Sequence, residues 1–214
     1  MNPLNVNEGE NVVSTDMVML DQQEQQSEQP AKKKSELWEW TKSILMAFAI
    51  VFLIHMFVFN LSTVKGQSME PTLEDGEWLF VNKIGYWIGN PDRGDIVILK
   101  DPEGDLGFRQ FLVKRIVGLP GDTVEVSNKK LYINGKELIE PYTNVDIQDG
   151  NYGPEKVPPG YYFVMGDNRH LWASTDSRTF HAVSGDLIKG KAQFVLWPFN
   201  KFGGLYEHMP EVQP

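Results

Sequence analysis

From Ile44 to Phe59 every residue except His55 is apolar, and this run constrains the chain more than any other feature. A segment apolar on all faces does not suit the surface of a soluble domain. Extended to Val64 it gives about 21 residues, roughly 31 Å of helix, which is the thickness of a bilayer's hydrocarbon core. Residues 36–64 are therefore expected to be a single transmembrane anchor, with Trp38 and Trp40 in the interfacial aromatic belt and His55 a tolerated polar residue. Lys32, Lys33, Lys34 and Lys42 precede the run and only Lys65 closely follows it. The positive-inside rule then places the N-terminus in the cytoplasm and residues 65–214 outside. A cleaved signal peptide competes poorly, because its n-region would exceed about 40 residues and no small-x-small site follows. Residues 1–35, rich in Gln, Glu, Asn and Ser, are expected to be a disordered cytoplasmic tail.

The remaining 150 residues suffice for one catalytic domain of ordinary size. A mean hydropathy of -0.33 excludes a polytopic membrane protein. The net charge of -9 and pI near 4.9 lack the basic footprint of a nucleic-acid binder. With no cysteine, disulfides, thiolate nucleophiles and thiolate metal sites are all excluded.

Beyond residue 65, short apolar runs separated by Gly and Pro predict a mostly antiparallel, all-β domain. The runs are Trp78 to Val81, Asp95 to Leu99, Phe111 to Val117, Thr123 to Val126 and Tyr161 to Met165. Leu131-Tyr132-Ile133, Asn134-Gly135 and Lys136-Glu137-Leu138 predict a hairpin, since Asn-Gly supplies the positive φ values of a type I′ turn. Pro141 to Pro159, polar and turn-rich, reads as a surface excursion, so that about residues 130–160 hold the hairpin and this excursion.

A nucleophile in such a chain must be a hydroxyl with an adjacent base. Ser68 lies in Gly66-Gln67-Ser68-Met69-Glu70-Pro71-Thr72-Leu73, just past the expected membrane exit. It is either a nucleophile on an exposed corner or an ordinary turn serine. Lys114 follows Phe111, Leu112 and Val113 within a strand. Alternation points it inward with Leu112 and Ile116, and Arg115 outward with Val113 and Val117. Burial would strip its proton, whereas a snorkelling lysine at a sheet edge would keep it. The polar loop Gly166 to Arg178 suits a turn or a network that orients a catalytic group.

In this order the segments resemble bacterial type I signal peptidases. The likeness rests on Gly66-x-Ser68-Met69-x-Pro71-Thr72-Leu73, Arg93-Gly94-Asp95-Ile96-Val97, Lys114-Arg115 through Gly118-Leu119-Pro120-Gly121-Asp122, and Gly166-Asp167-Asn168-Arg169 with Asp176-Ser177-Arg178. The resemblance implies a serine endopeptidase of the bacterial cell membrane that removes signal peptides from secretory preproteins, with no metal or cofactor. It implies Ser68 as nucleophile, Lys114 as general base, Ser174 as the serine orienting the lysine amine, and Asp176 and Arg178 as supporting residues. Gly66 stands where some relatives carry an oxyanion-binding serine, so backbone N–H groups must serve more of that role. Met69 and Val113 are candidate pocket residues, with core packing as the alternative. Two departures stand out: four residues, His170 to Ala173, separate Arg169 from Ser174 where the family has two, and His181 replaces a usual glycine. A Ser-His-Asp triad using His170 or His181 with Asp95 or Asp176, and a catalytically silent β-domain, are the competing readings.

Overall fold

The computed structural model describes residues 33–84, 86, 89–104, 111–205 and 210–212. The chain divides into two units, residues 1–50 and 51–214. Helix α1 spans Lys33–Phe57. Its apolar side chains, among them Leu45, Phe48, Val51 and Phe52, are exposed. Most of the expected tail lies outside the described residues.

The helix corrects the expected anchor of residues 36–64. It stops at Phe57, and Phe59–Thr63 forms strand β1 instead, pairing antiparallel with β2 (Trp78–Asn82). Glu36, Glu39 and Lys42 occupy its first turns, so its uninterrupted apolar part begins at Ile44. Among the described residues no helix is long and apolar enough to cross a membrane.

The second unit is built on antiparallel strands, as the apolar runs predict. β3 (Ile96–Lys100), β4 (Phe111–Gly118), β5 (Thr123–Ser127), β6 (Lys130–Ile133) and β7 (Lys136–Ile139) follow, then β8 (Tyr152–Lys156), β9 (Tyr161–Met165), the short helix α2 (Ser177–Phe180), β10 (Val183–Ser184), β11 (Ile188–Trp197), β12 (Gly203–Gly204) and β13 (Glu211–Val212). One sheet has the order β1-β2-β11-β3-β4-β9-β10, with β12 added to β11. The other has the order β13-β7-β6-β5-β8. The Asn134-Gly135 turn joins β6 to β7 with φ of 54° and 79°, as a type I′ turn requires.

Both faces of the larger sheet are covered, which is why β3 reads as an unbroken apolar run. Ile96 and Ile98 pack with Val64, Met69, Leu73 and Ala192, while Val97 and Leu99 pack with Ile116, Tyr162 and Val164. Val117, Phe163 and Met165 join the core under the smaller sheet, with Val124, Leu131, Ile133 and Val157.

Two expectations change here. The stretch from Pro141 to Pro159 is not all surface: β8 lies within it and pairs with β5, and Tyr142, Ile147 and Val157 are buried. Arg115 does not point to solvent opposite Lys114. With cover on both faces of β4, Lys114 and Arg115 are 2% and 1% exposed.

Candidate active site

Ser68 sits in the turn after β1 and Lys114 near the middle of β4. The fold brings these positions, 46 residues apart, to 2.7 Å between Lys114 Nζ and Ser68 Oγ. Both border a cleft of about 810 Å³ whose other walls include Thr63 and Lys65, Phe111 and Val113, and Trp172. Met69 and Val113 also line it, and Met69 is 1% exposed with Val113 packed against its cluster, so each contributes to core and cleft together.

The Ser68 turn is held from several sides. Gly66 has φ of 91°, a conformation that side chains disfavour, and its N–H donates to Asp75 Oδ1 at 2.6 Å. Asn168 ties down the serine itself: its N–H donates to Ser68 O at 3.1 Å and its side-chain amide to Gln67 O at 2.9 Å. Asp167 accepts from Thr72 Oγ1 at 2.6 Å and from Arg115 Nε and Nη2 at 2.9 and 2.6 Å. Arg115 also donates to Gly94 O and stacks on Tyr142, 3.8 Å from the ring centroid. Burial opposes the charge on this guanidinium, but Asp167 outweighs it and raises the Arg115 pKa.

The third wall comes from the loop between β9 and α2. Gly166 permits its closest approach: a Cβ there would lie 2.3 Å from both Ser174 Oγ and Ser68 O. Ser174 thus packs beside the Ser68 segment, yet among the described residues its buried Oγ has no hydrogen-bond partner. Asp176 caps α2, accepts from Gly166 N at 3.2 Å, and takes two further bonds from the Arg178 guanidinium at 2.9 and 2.8 Å. Burial pushes the Asp176 carboxyl upward, but Arg178, with a smaller contribution from the Lys114 charge, holds it below the usual carboxylate range.

Among the described residues no histidine bonds to Ser68. His181 is exposed, its Nδ1 2.9 Å from Glu155 and 3.2 Å from Tyr152 Oη, and His170 is exposed as well. Asp95 is committed to Tyr86 and Lys191. His181 has φ of 64°, a backbone state in which glycine is the more usual occupant.

Residues 37–197 match the family described as signal peptidase, peptidase S26. The chain belongs to that family. It is 45% identical over 193 residues to signal peptidase I of Bacillus amyloliquefaciens, covering 85% of this chain and 97% of that protein. It is 40% identical over 195 residues to signal peptidase IB of Staphylococcus aureus strain MRSA252, covering 83% and 97%. The crystal structure of a signal peptidase I from Enterococcus faecalis V583 is 36% identical, covers 48% of this chain and 97% of that one, and has a TM-score of 0.40, so no argument rests on it.

Three partners in this peptidase have no local signature in the sequence. Glu140 accepts from Arg169 Nη1 and Nη2 at 2.7 and 2.6 Å, and Asp149 accepts from Arg178 Nη1 at 2.8 Å and from Trp172 N at 2.8 Å. Gln148 accepts from Leu171 N at 3.2 Å. Gln148 and Asp149 lie in the segment expected to be a surface excursion, and Glu140 immediately precedes it.

Proposed function

We propose that this membrane-anchored peptidase removes N-terminal signal peptides from exported preproteins by a Ser68/Lys114 dyad. The observation that carries the reading is the 2.7 Å contact between the Ser68 hydroxyl and a lysine nitrogen shielded from water, at the wall of a cleft. A shielded amine sheds its proton more readily than an exposed one, and a neutral amine is the base a serine needs.

In the reaction, Lys114 Nζ takes the Ser68 proton as Oγ bonds to the scissile carbonyl carbon. Backbone N–H groups, beginning with that of Ser68, receive the oxyanion. The carbon–nitrogen bond then breaks and the lysine returns the proton to the leaving amine. Water, deprotonated by the same amine, hydrolyses the ester. Ser174 offers its unpartnered hydroxyl to Lys114 once that nitrogen is charged, and Asp176 with Arg178 fixes the loop that presents it.

The substrate lies extended. The ladder between β4 and β9 begins only at Arg115, and β1 ends the larger sheet, so Phe111 to Val113 and Ser62 to Lys65 face one trough leading to the dyad. Met69 and Val113 limit the side chains just before the cut to small ones. Helix α1 falls short of a full membrane span among the described residues, yet its exposed apolar side chains call for lipid, and the proposed anchor has Trp38 and Trp40 at the interface, the N-terminus cytoplasmic and the peptidase unit outside.

Incubation of the detergent-solubilised full chain with a preprotein tests the reading. Loss of cleavage in both Ser68→Ala and Lys114→Ala, with His170→Ala and His181→Ala active, is expected. Full cleavage by Lys114→Ala removes the dyad, and no Ser68-dependent product in any preparation leaves a silent binding domain. Protease digestion of intact cells that spares the N-terminus and removes the second unit is expected for the stated topology.

A further inference from the structure

Trp172 is unusual three times over. It is 87% exposed, the largest exposure of any large hydrophobic residue among the described residues. It adopts φ of 62°, a left-handed backbone that a bulky residue rarely takes. It also lines the cleft that holds Ser68 and Lys114. The local loop is nevertheless fixed, because Asp149 and Gln148 accept from the backbone N–H groups of Trp172 and Leu171. An indole kept out of any core on a pinned loop is a ready contact surface, and it costs little side-chain entropy to use.

Which part of the substrate it meets follows from how the chain approaches the dyad. The end of β1 and the two residues after it, Ser62 to Lys65, lead to Ser68, and β4 runs through Phe111 to Val113 toward Lys114. Both line the same cleft, and between them they hold the trough assigned to the residues before the cut. The loop from Gly166 to Ser174 reaches Ser68 as a separate element of the same cleft, through Asn168 on Ser68 O and Ser174 against Gly166, and with the trough taken by the residues before the cut it is left for those after it. Trp172 stands on that loop. We infer that Trp172 is a specificity residue for the leaving segment, contacting apolar side chains in the first residues after the scissile bond. This rests on the peptidase reading above and sharpens it, because the residue belongs to the lengthened loop between Arg169 and Ser174.

A paired peptide series separates the outcomes. Peptides share one sequence up to the cut and carry Leu or Gly at the two positions after it, and the full-length enzyme acts on them in detergent. The native enzyme is expected to prefer the Leu peptide in kcat/KM by about tenfold, the worth of one apolar contact in a site. Trp172→Ala is expected to bring that ratio toward one, and Trp172→Phe to keep most of it. Both peptides pass through the same acyl-enzyme, so the deacylation rate is expected to be common to the two. A merely structural role would instead lower both peptides together and leave the ratio in place, which overturns the inference. So does an unchanged ratio in detergent with a loss confined to vesicle-bound substrate, which would make Trp172 a lipid contact. Ser68→Ala, run alongside, tests the dyad separately: cleavage that survives in it sinks the peptidase reading whatever Trp172 does.

Discussion

Lys114 and Arg115 are neighbours on β4, equally hidden from water, and the fold treats them in opposite ways. Arg115 meets a carboxylate in a two-nitrogen fork, a carbonyl and an aromatic face, so its charge is compensated wherever it points. Lys114 donates to the hydroxyl of Ser68, and its charge also acts on the Asp176 carboxyl. A buried cation given a full carboxylate partner is locked in its charged state, whereas one set against a hydroxyl beside an open cleft can exchange its proton. Arg115 thus belongs to the latch that holds the Ser68 turn, through Asp167 and Thr72, and Lys114, in the proposed reaction, to the chemistry of that turn.

The comparison breaks most visibly at Lys114. Lys114→Arg keeps a buried cation but cannot give up its proton, so kcat/KM is expected to fall by roughly 10⁴ or more while Tm changes little. Asp167→Ala should show the reverse pattern. It strands Arg115 without compensation, and a stability loss of about 3–5 kcal/mol is expected in thermal or urea unfolding. An Asp167→Ala protein as stable as the parent would mean that the latch holds nothing.

Ser174→Ala sharpens the boundary between the two regions. Its hydroxyl has no resting partner among the described residues, so removing it should leave Tm nearly unchanged, yet kcat should drop by about ten- to hundredfold if Lys114 uses it. The smallest effect is one of pH. The folded Asp176 carboxyl titrates below its unfolded counterpart, so the stability it lends is complete above the unfolded carboxylate range and drains away as pH falls through the folded value. The Tm gap between the parent and Asp176→Asn should therefore be widest near neutrality and narrow below about pH 4.

What could be read from the sequence was local. Strands β2 to β7 and β9 announce themselves because apolar residues, period and turn chemistry sit within a few positions, and Asn134-Gly135 specifies its own hairpin. The serine and lysine were visible only as separate candidates, joined by ordered motifs rather than by local chemistry. β1 was hidden because Phe59 to Thr63 follows directly on the apolar run and was read as its end, and its strand state depends on a partner, β2, some twenty positions later. β8 was hidden by Gly153 and Pro154, which signal a turn until β5 pairs with the segment. Arg115's burial and the anchors at Glu140, Gln148 and Asp149 depend on contacts across the fold that no local pattern encodes.

Asp149 takes hydrogen bonds from both the Trp172 backbone and the Arg178 guanidinium, so the β9–α2 loop and α2 itself share one carboxylate. The consequence is one of heredity and of engineering: that loop is not a separable cassette. A graft of residues 169–178 into a relative would arrive without its fastenings unless residues 148–149 travelled with it, and the two segments are expected to change together wherever the longer loop was acquired.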